Sequence, residues 1–185
     1  MPATKFVNIG ITGGVKTKDP SSDGLMPDMS TGTTDITKIV EDSVTFEVNT
    51  SENFSITPQD MSLPWHIGNP GSMDATLSLQ TYNYDPNLLV LAFGGNAIDT
   101  GSDGIEDEYE APTTGFDLTY KAFQVEGDTV DGYRLSIQIP KAAVRGIVHA
   151  QFGNSAGNVE YSCQVVTPED SSGVLQPPWY VRMLS

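Results

Sequence analysis

The chain has 185 residues, with 24 acidic against 9 basic side chains and a formal net charge of −15. That length suits one domain with a sizeable core and long loops, and would cramp two. The charge repels a nucleic-acid backbone from the protein as a whole, no apolar run approaches the roughly 20 residues that span a bilayer, and Met1-Pro2-Ala3-Thr4-Lys5 does not read as the start of a signal peptide.

Two explanations of the acidity stay open at this point: plain solubility, or a surface that must remain near DNA without gripping it. The lone Cys163 excludes an internal disulfide framework, suits a reducing cytoplasm, and in a strand-like pattern reads as a small buried hydrophobe.

In chain order, residues 4–9 (TKFVNI) read as a first strand. A long loop follows over 13–37, rich in Gly, Pro, Ser, Thr and Asp, with Leu25, Met26 and Met29 inside it. Loops of that length are usually functional or disordered, and the three apolar residues suggest one that docks on something.

Five segments then alternate with period two. Val44, Phe46 and Val48 oppose Thr45, Glu47 and Asn49; Ala75, Leu77 and Leu79 oppose Thr76, Ser78 and Gln80. Phe116, Leu118 and Tyr120 oppose Asp117, Thr119 and Lys121; Leu135, Ile137 and Ile139 oppose Arg134, Ser136 and Gln138. Tyr161, Cys163 and Val165 oppose Glu160, Ser162 and Gln164, and shorter strands are expected at 52–57 and 147–152. One buried and one wet face per strand predicts an all-β fold, an antiparallel β-sandwich or barrel, over about 40–170 of a single domain spanning 1–185. The polar faces are mostly small or neutral: Thr76, Ser78, Gln80, Ser136, Gln138, Ser162 and Gln164. Ordinary β-propensity explains that, and so does a hydrated face without cations that looks into a shared channel.

Residues 85–95 break the pattern and predict one short flanking α-helix. Asp85 is an N-cap, Pro86 suits the first helical position, and Gly94-Gly95 supplies a left-handed end. Its run from Leu88 to Phe93 leaves no polar side in the middle turns, so it needs covering on more than one side. The second cover is either its own loop or a neighbouring subunit. A short turn is expected at 140–144, and a packing C-terminal arm at 171–185, carrying Leu175, Trp179, Tyr180, Val181 and Met183.

The catalytic inventory is thin. His66 and His149 fall in no metal-binding spacing, no nucleophile elbow, P-loop or dinucleotide fingerprint is present, and neither enzymatic activity nor a cofactor is expected. One stretch is metal-like: Asp99, Asp103, Gly104, Asp107 and Glu110 fall on EF-hand loop positions. Gly101 and Glu106 break that pattern and no helix follows, so an acidic, mobile loop over 97–115 is the better reading.

DATLSLQTYNYDPNLLVLAFGG (74–95), YRLSIQIPKAAVRG (133–146) and NVEYSCQVVTPED (158–170) together resemble the major tail tube proteins of long-tailed bacteriophages, in layout and local texture. The resemblance implies a β-sandwich or barrel with a flanking helix, in hexameric rings that stack into a tube. The tube is filled by a tape measure protein, closed off by tail tip and terminator proteins, and later traversed by double-stranded DNA. It implies assembly in the host cytoplasm, residence in the virion, and no membrane partner. Leu88, Leu91 and Phe93 of the helix, Leu25, Met26 and Met29 of the loop, and Trp179 and Tyr180 of the arm would meet other subunits, the loop and arm across stacked rings. Thr76, Ser78, Gln80, Ser136, Gln138, Ser162 and Gln164 would face the lumen.

The competing expectation is a β-sandwich binding or adhesion module on a virion or cell surface, which needs an exposed aromatic platform. Trp65 and Trp179 sit next to prolines, in places that suit packing better than presentation.

Overall fold

Alternation of apolar and polar side chains lets each strand bury one face, and here it builds one antiparallel sheet of eight strands. The computed structural model describes residues 10–50, 54–56, 66–68, 73–115, 118–128, 133–150 and 157–184. The strand expected at 4–9, Trp65, Phe116 and the end of the one expected at 147–152 lie outside them.

The elements are β1 (Gly10–Lys18), β2 (Thr34–Ile36), β3 (Thr45–Thr50), β4 (Phe54–Ile56), β5 (His66–Gly68), β6 (Met73–Thr81) and α1 (Pro86–Phe93). They continue with β7 (Asn96–Ile98), β8 (Glu108–Glu110), β9 (Thr119–Asp128), β10 (Arg134–His149), β11 (Asn158–Val165) and β12 (Tyr180–Leu184). The large sheet runs β2-β1-β9-β10-β11-β6-β3, with β12 also on β10; β4-β5 and β7-β8 form two small pairs. The fold is all-β with one short helix.

β10 is the spine. One side pairs with β9; the other holds β12 along Arg134–Gln138 and β11 along Ala142–His149. Between Ile139 and Ala142 the β9 register shifts, so the core side is Ile137 and Ile139 below and Ala142 and Val144 above. The turn expected at 140–144 is therefore continuous strand. Pro140 sits at the irregularity, where a missing N–H costs least.

The register aligns Ile36, Val15, Val125 and Ile137 as one core row across β2, β1, β9 and β10. A second row runs Val144, Cys163 and Leu77 across β10, β11 and β6. Both rows belong to one hydrophobic cluster. Ile36 pairs with β1, and Ile39, three residues on, bridges to Thr81 of β6. Three residues reach about 10 Å, so the chain leaving β2 at one end of the sheet comes directly onto β6, next to the other end. No ladder joins β2 to β3 among the described residues.

Three expectations need correction. The long loop covers 19–33 rather than 13–37, because 13–18 belong to β1 and 34–36 are β2. Gly13-Gly14, where the long loop was expected to begin, marks a register shift between Ile11 and Val15, with Gly14 at φ +77°. Ala122, Phe123 and Val125 of β9 are buried, while Tyr120 and, just before the strand, Leu118 are exposed; the shift opposite Ile139 and Ala142 changes which residues face inward. The C-terminal arm packs on its own chain: only Tyr180–Leu184 is strand, paired to β10, and Trp179 stands edge-on to Phe46 at 5.6 Å.

Candidate interaction surface

The helix forms as its caps predict. The Asp85 carboxylate accepts from the Asn87 N–H at 2.9 Å, Pro86 opens the first turn, and the Gly94 N–H closes the last on the Val90 carbonyl at 2.8 Å. Leu88, Leu91 and Ala92 are buried. β10 accepts the helix closely at Gly146, where a Cβ would stand 2.4 Å from that of Ala92. The second cover comes from the same chain: β7 and β8 pack against the helix. Leu88 is 1% and Leu91 4% exposed, so both are internal and have almost no surface to offer a neighbour. Phe93 is half-buried against the core.

The segment 97–115 is thus partly strand, since β7 and β8 pair and cover the helix, with an exposed acidic turn region at 99–107 between them. Between β7 and β8, Asp99 accepts from the Asp103 and Gly104 N–H groups at 3.3 and 2.6 Å, and Asp103 accepts from the Ile105 N–H at 3.1 Å. The backbone N–H and hydroxyl of Thr100 hold the Asp107 carboxyl below its usual range. Three of the four calcium candidates thereby spend oxygens on the loop's own donors, and Glu110 lies on β8 opposite Asn96. Among the described residues no group of three or more His, Cys, Asp or Glu is arranged to hold a metal ion.

The seven polar-face residues divide into two groups. Ser78 pairs with Thr45 on one side and Ser162 on the other, and Thr76 pairs with Glu47 and Gln164. Gln80, opposite Glu160, accepts a bond from Asn158 at 2.8 Å. Thr76, Ser78, Gln80, Ser162 and Gln164 therefore share the side of β6 and β11 that faces away from the core. Strands β3, β6 and β11 contain no Lys or Arg.

Ser136 and Gln138 lie elsewhere. Ser136 is 0% exposed, set between Glu126 and Arg182 in the register, and faces no open surface. Gln138 sits with Lys16, Gln124, Glu126 and Arg182 in a groove of about 480 Å³ beneath Met26–Ser30. Among the described residues the Ser136 hydroxyl and the Gln138 carbonyl oxygen have no hydrogen-bond partner. Nothing in the alternation signals this, because the covering strap comes from far away in sequence.

That strap is fastened by Lys18, whose ammonium donates to the carbonyls of Asp28 at 2.8 Å and Thr31 at 2.7 Å. Met29 is buried, Met26 half-buried and Leu25 exposed. Gly24 lies so near the turn at 168–176 that a Cβ would meet Gln176 and the Glu169 backbone at 3.0 Å. The turn is closed by its own hydrogen bonds: Asp170 caps the N–H groups of Ser172 and Val174, and the Gln176 N–H donates to the Pro168 carbonyl at 2.9 Å. It presents Val174 and Leu175 to solvent beside Leu25, with Leu175 63% exposed. On β12, Val181 and Met183 are 51% and 66% exposed. Half-buried Trp179 and Tyr180 are held within the chain, by Phe46 and by pairing to Gln138.

Cys163 is fully buried, and burial pushes its thiol up to about 12. The His149 imidazole lies 3.8 Å from Glu160 on the surface, and the His66 side chain lies outside the described residues. Among the described residues no helix is long and apolar enough to cross a membrane. No family model and no curated protein matches the chain.

Proposed function

We propose that this chain is a structural subunit that assembles with copies of itself into stacked rings, hexameric by resemblance, and that the rings form a phage tail tube through which DNA is ejected. One observation carries the reading: three adjacent strands, β3, β6 and β11, hold no Lys or Arg, and Thr76, Ser78, Gln80, Ser162 and Gln164 share their outward side. DNA carries a charge about every 1.7 Å of its axis, and each cation on a channel wall would hold it by releasing counterions. A wall of hydroxyls, amides and carboxylates lets it slide. In this reading the subunit has no catalytic role or cofactor. It is built in the bacterial cytoplasm, resides in the virion, and meets tape measure, tail tip and terminator proteins.

The solvent-facing Leu25, Val174 and Leu175, with Val181 and Met183 on β12, are the contacts between copies. A free strand edge beside exposed apolar residues is a hazard in a monomer and an asset in a closed ring. Leu88 and Leu91 of the helix make no such contact in this reading, since their cover is internal. Sedimentation velocity across a concentration series tests the proposal. Large species that grow with concentration are expected, and one slow species throughout would contradict it.

A second reading, the surface binding module, has one observation in its favour: Tyr82 and Tyr84 stand exposed in the bend after β6. Saturable binding of a polysaccharide, lost in Tyr82→Ala, would support it over self-assembly.

A further inference from the structure

The strap at 19–33 is tied down lightly. Among the described residues no backbone hydrogen bond joins it to the sheet: the Gly24 N–H turns back to the Ser21 carbonyl, and the N–H groups of Leu25 and Ser30 are taken by the Asp23 and Asp28 carboxylates. Three contacts hold it in place. The Lys18 ammonium grips the carbonyls of Asp28 and Thr31, Met29 is buried at 7% exposure, and Gly24 lies against the turn at 168–176.

The floor beneath it opposes closure. Gln138 lies under Met26–Ser30 with Gln124, Glu126 and Arg182, and Ser136 sits on the same side of β10, between Glu126 and Arg182 in the register. The Ser136 hydroxyl and the Gln138 carbonyl oxygen are out of reach of water and have no hydrogen-bond partner. Once the strap lifts, water reaches both, so each of them weighs against the closed state. Few bonds to the sheet above an unsatisfied polar floor make this the segment that opens before the laddered strands on either side of it.

We propose that 19–33 lifts as a unit, hinged where it leaves β1 and enters β2, and that its closure switches the proposed self-assembly on. Leu25 rides on the strap, while Val174 and Leu175 belong to the turn against which Gly24 packs. The exposed apolar surface made by these three residues is whole only while the strap is down. The switching rests on the self-assembly reading; the opening does not.

Hydrogen peroxide footprinting of the dilute full chain, read residue by residue by mass spectrometry, tests the opening. Peroxide turns an accessible thioether into its sulfoxide, so Met183, 66% exposed, should react freely and Met29 only through the open strap. Lys18→Ala should speed Met29 about fivefold, because two hydrogen bonds at the surface are lost. Ser136→Ala, which removes an unpartnered hydroxyl, should slow it by about as much. In both variants Met183 should keep its rate and buried Cys163 should stay reduced, which separates a local opening from unfolding. Equal Met29 rates in parent and variants, or Met29 and Cys163 reacting together, would overturn the strap; if Lys18→Ala fails to fold, Ser136→Ala decides the matter. Sedimentation velocity of Lys18→Ala beside the parent tests the switching, with fewer large species expected, and undiminished assembly despite faster Met29 oxidation would overturn it. A parent that forms no large species would overturn self-assembly and the switching with it, while the oxidation rates still decide the opening.

Discussion

The Tyr161 phenol donates a hydrogen bond to the backbone carbonyl of Leu88 at 2.9 Å, tying the core side of β11 to the first turn of the helix. Both residues are buried, so the bond forms where water does not compete. Tyr161→Phe keeps the ring and removes the donor. It should lower stability by about 1 kcal/mol, read as a lower urea midpoint at unchanged slope. An unchanged midpoint would show that the helix is held by packing alone.

Gly146 lets the helix lie close on β10. Gly146→Ala would put a methyl 2.4 Å from the Ala92 Cβ, and relieving that overlap should cost about 1–3 kcal/mol. The double variant with Ala92→Gly should recover part of the loss despite the lower helix propensity of glycine. Additive losses, measured by thermal melting, would mean that the two sites do not touch.

Leu91→Asp should abolish cooperative folding, because it puts a carboxylate into the core cluster. An apolar run without a polar side correctly announces a helix covered twice, but it does not say by whom. The cover is the β7–β8 pair that follows directly in the chain.

Assembly is better probed on the exposed residues. Leu175→Lys and Met183→Lys fall on open surface, so each should leave stability within about 0.5 kcal/mol of the parent while sedimentation shows loss of the large species. Folded variants that still assemble would remove these surfaces from the contact between copies.

Stability should fall at alkaline pH. The Cys163 thiol ordinarily ionises near 9.0 and burial raises it to about 12 in the folded chain. Between those values the unfolded chain has released a proton that the folded chain keeps. The stabilisation is therefore complete below about pH 9 and is lost at roughly 1.4 kcal/mol per pH unit as pH rises toward 12. Burial, then the charges of Cys163 and Asp85, raises Tyr161 from 10.0, which steepens the decline above that pH. Cys163→Ala should flatten the curve between pH 9 and 10, and native protein should resist thiol reagents. Rapid labelling of Cys163 without unfolding would contradict its burial.

Much of the fold is legible in the sequence, for a physical reason. Ala75, Leu77 and Leu79, or Tyr161 and Cys163, must alternate because one side of each strand is buried. The helix ends are legible because Asp85, Pro86 and Gly94 act locally. The irregularities at Gly14 and between Ile139 and Ala142 are not, since one extra residue changes the inward set without changing composition. The burial of Ser136 and the strap over Gln138 depend on segments brought together only by folding. The five neutral residues of β6 and β11 were legible as a set, and the register places them side by side.

Negative-stain electron microscopy of the concentrated protein bears most directly on self-assembly. Rings, or hollow tubes built from stacked rings, are the predicted result. Well-dispersed monomers at every concentration would contradict it.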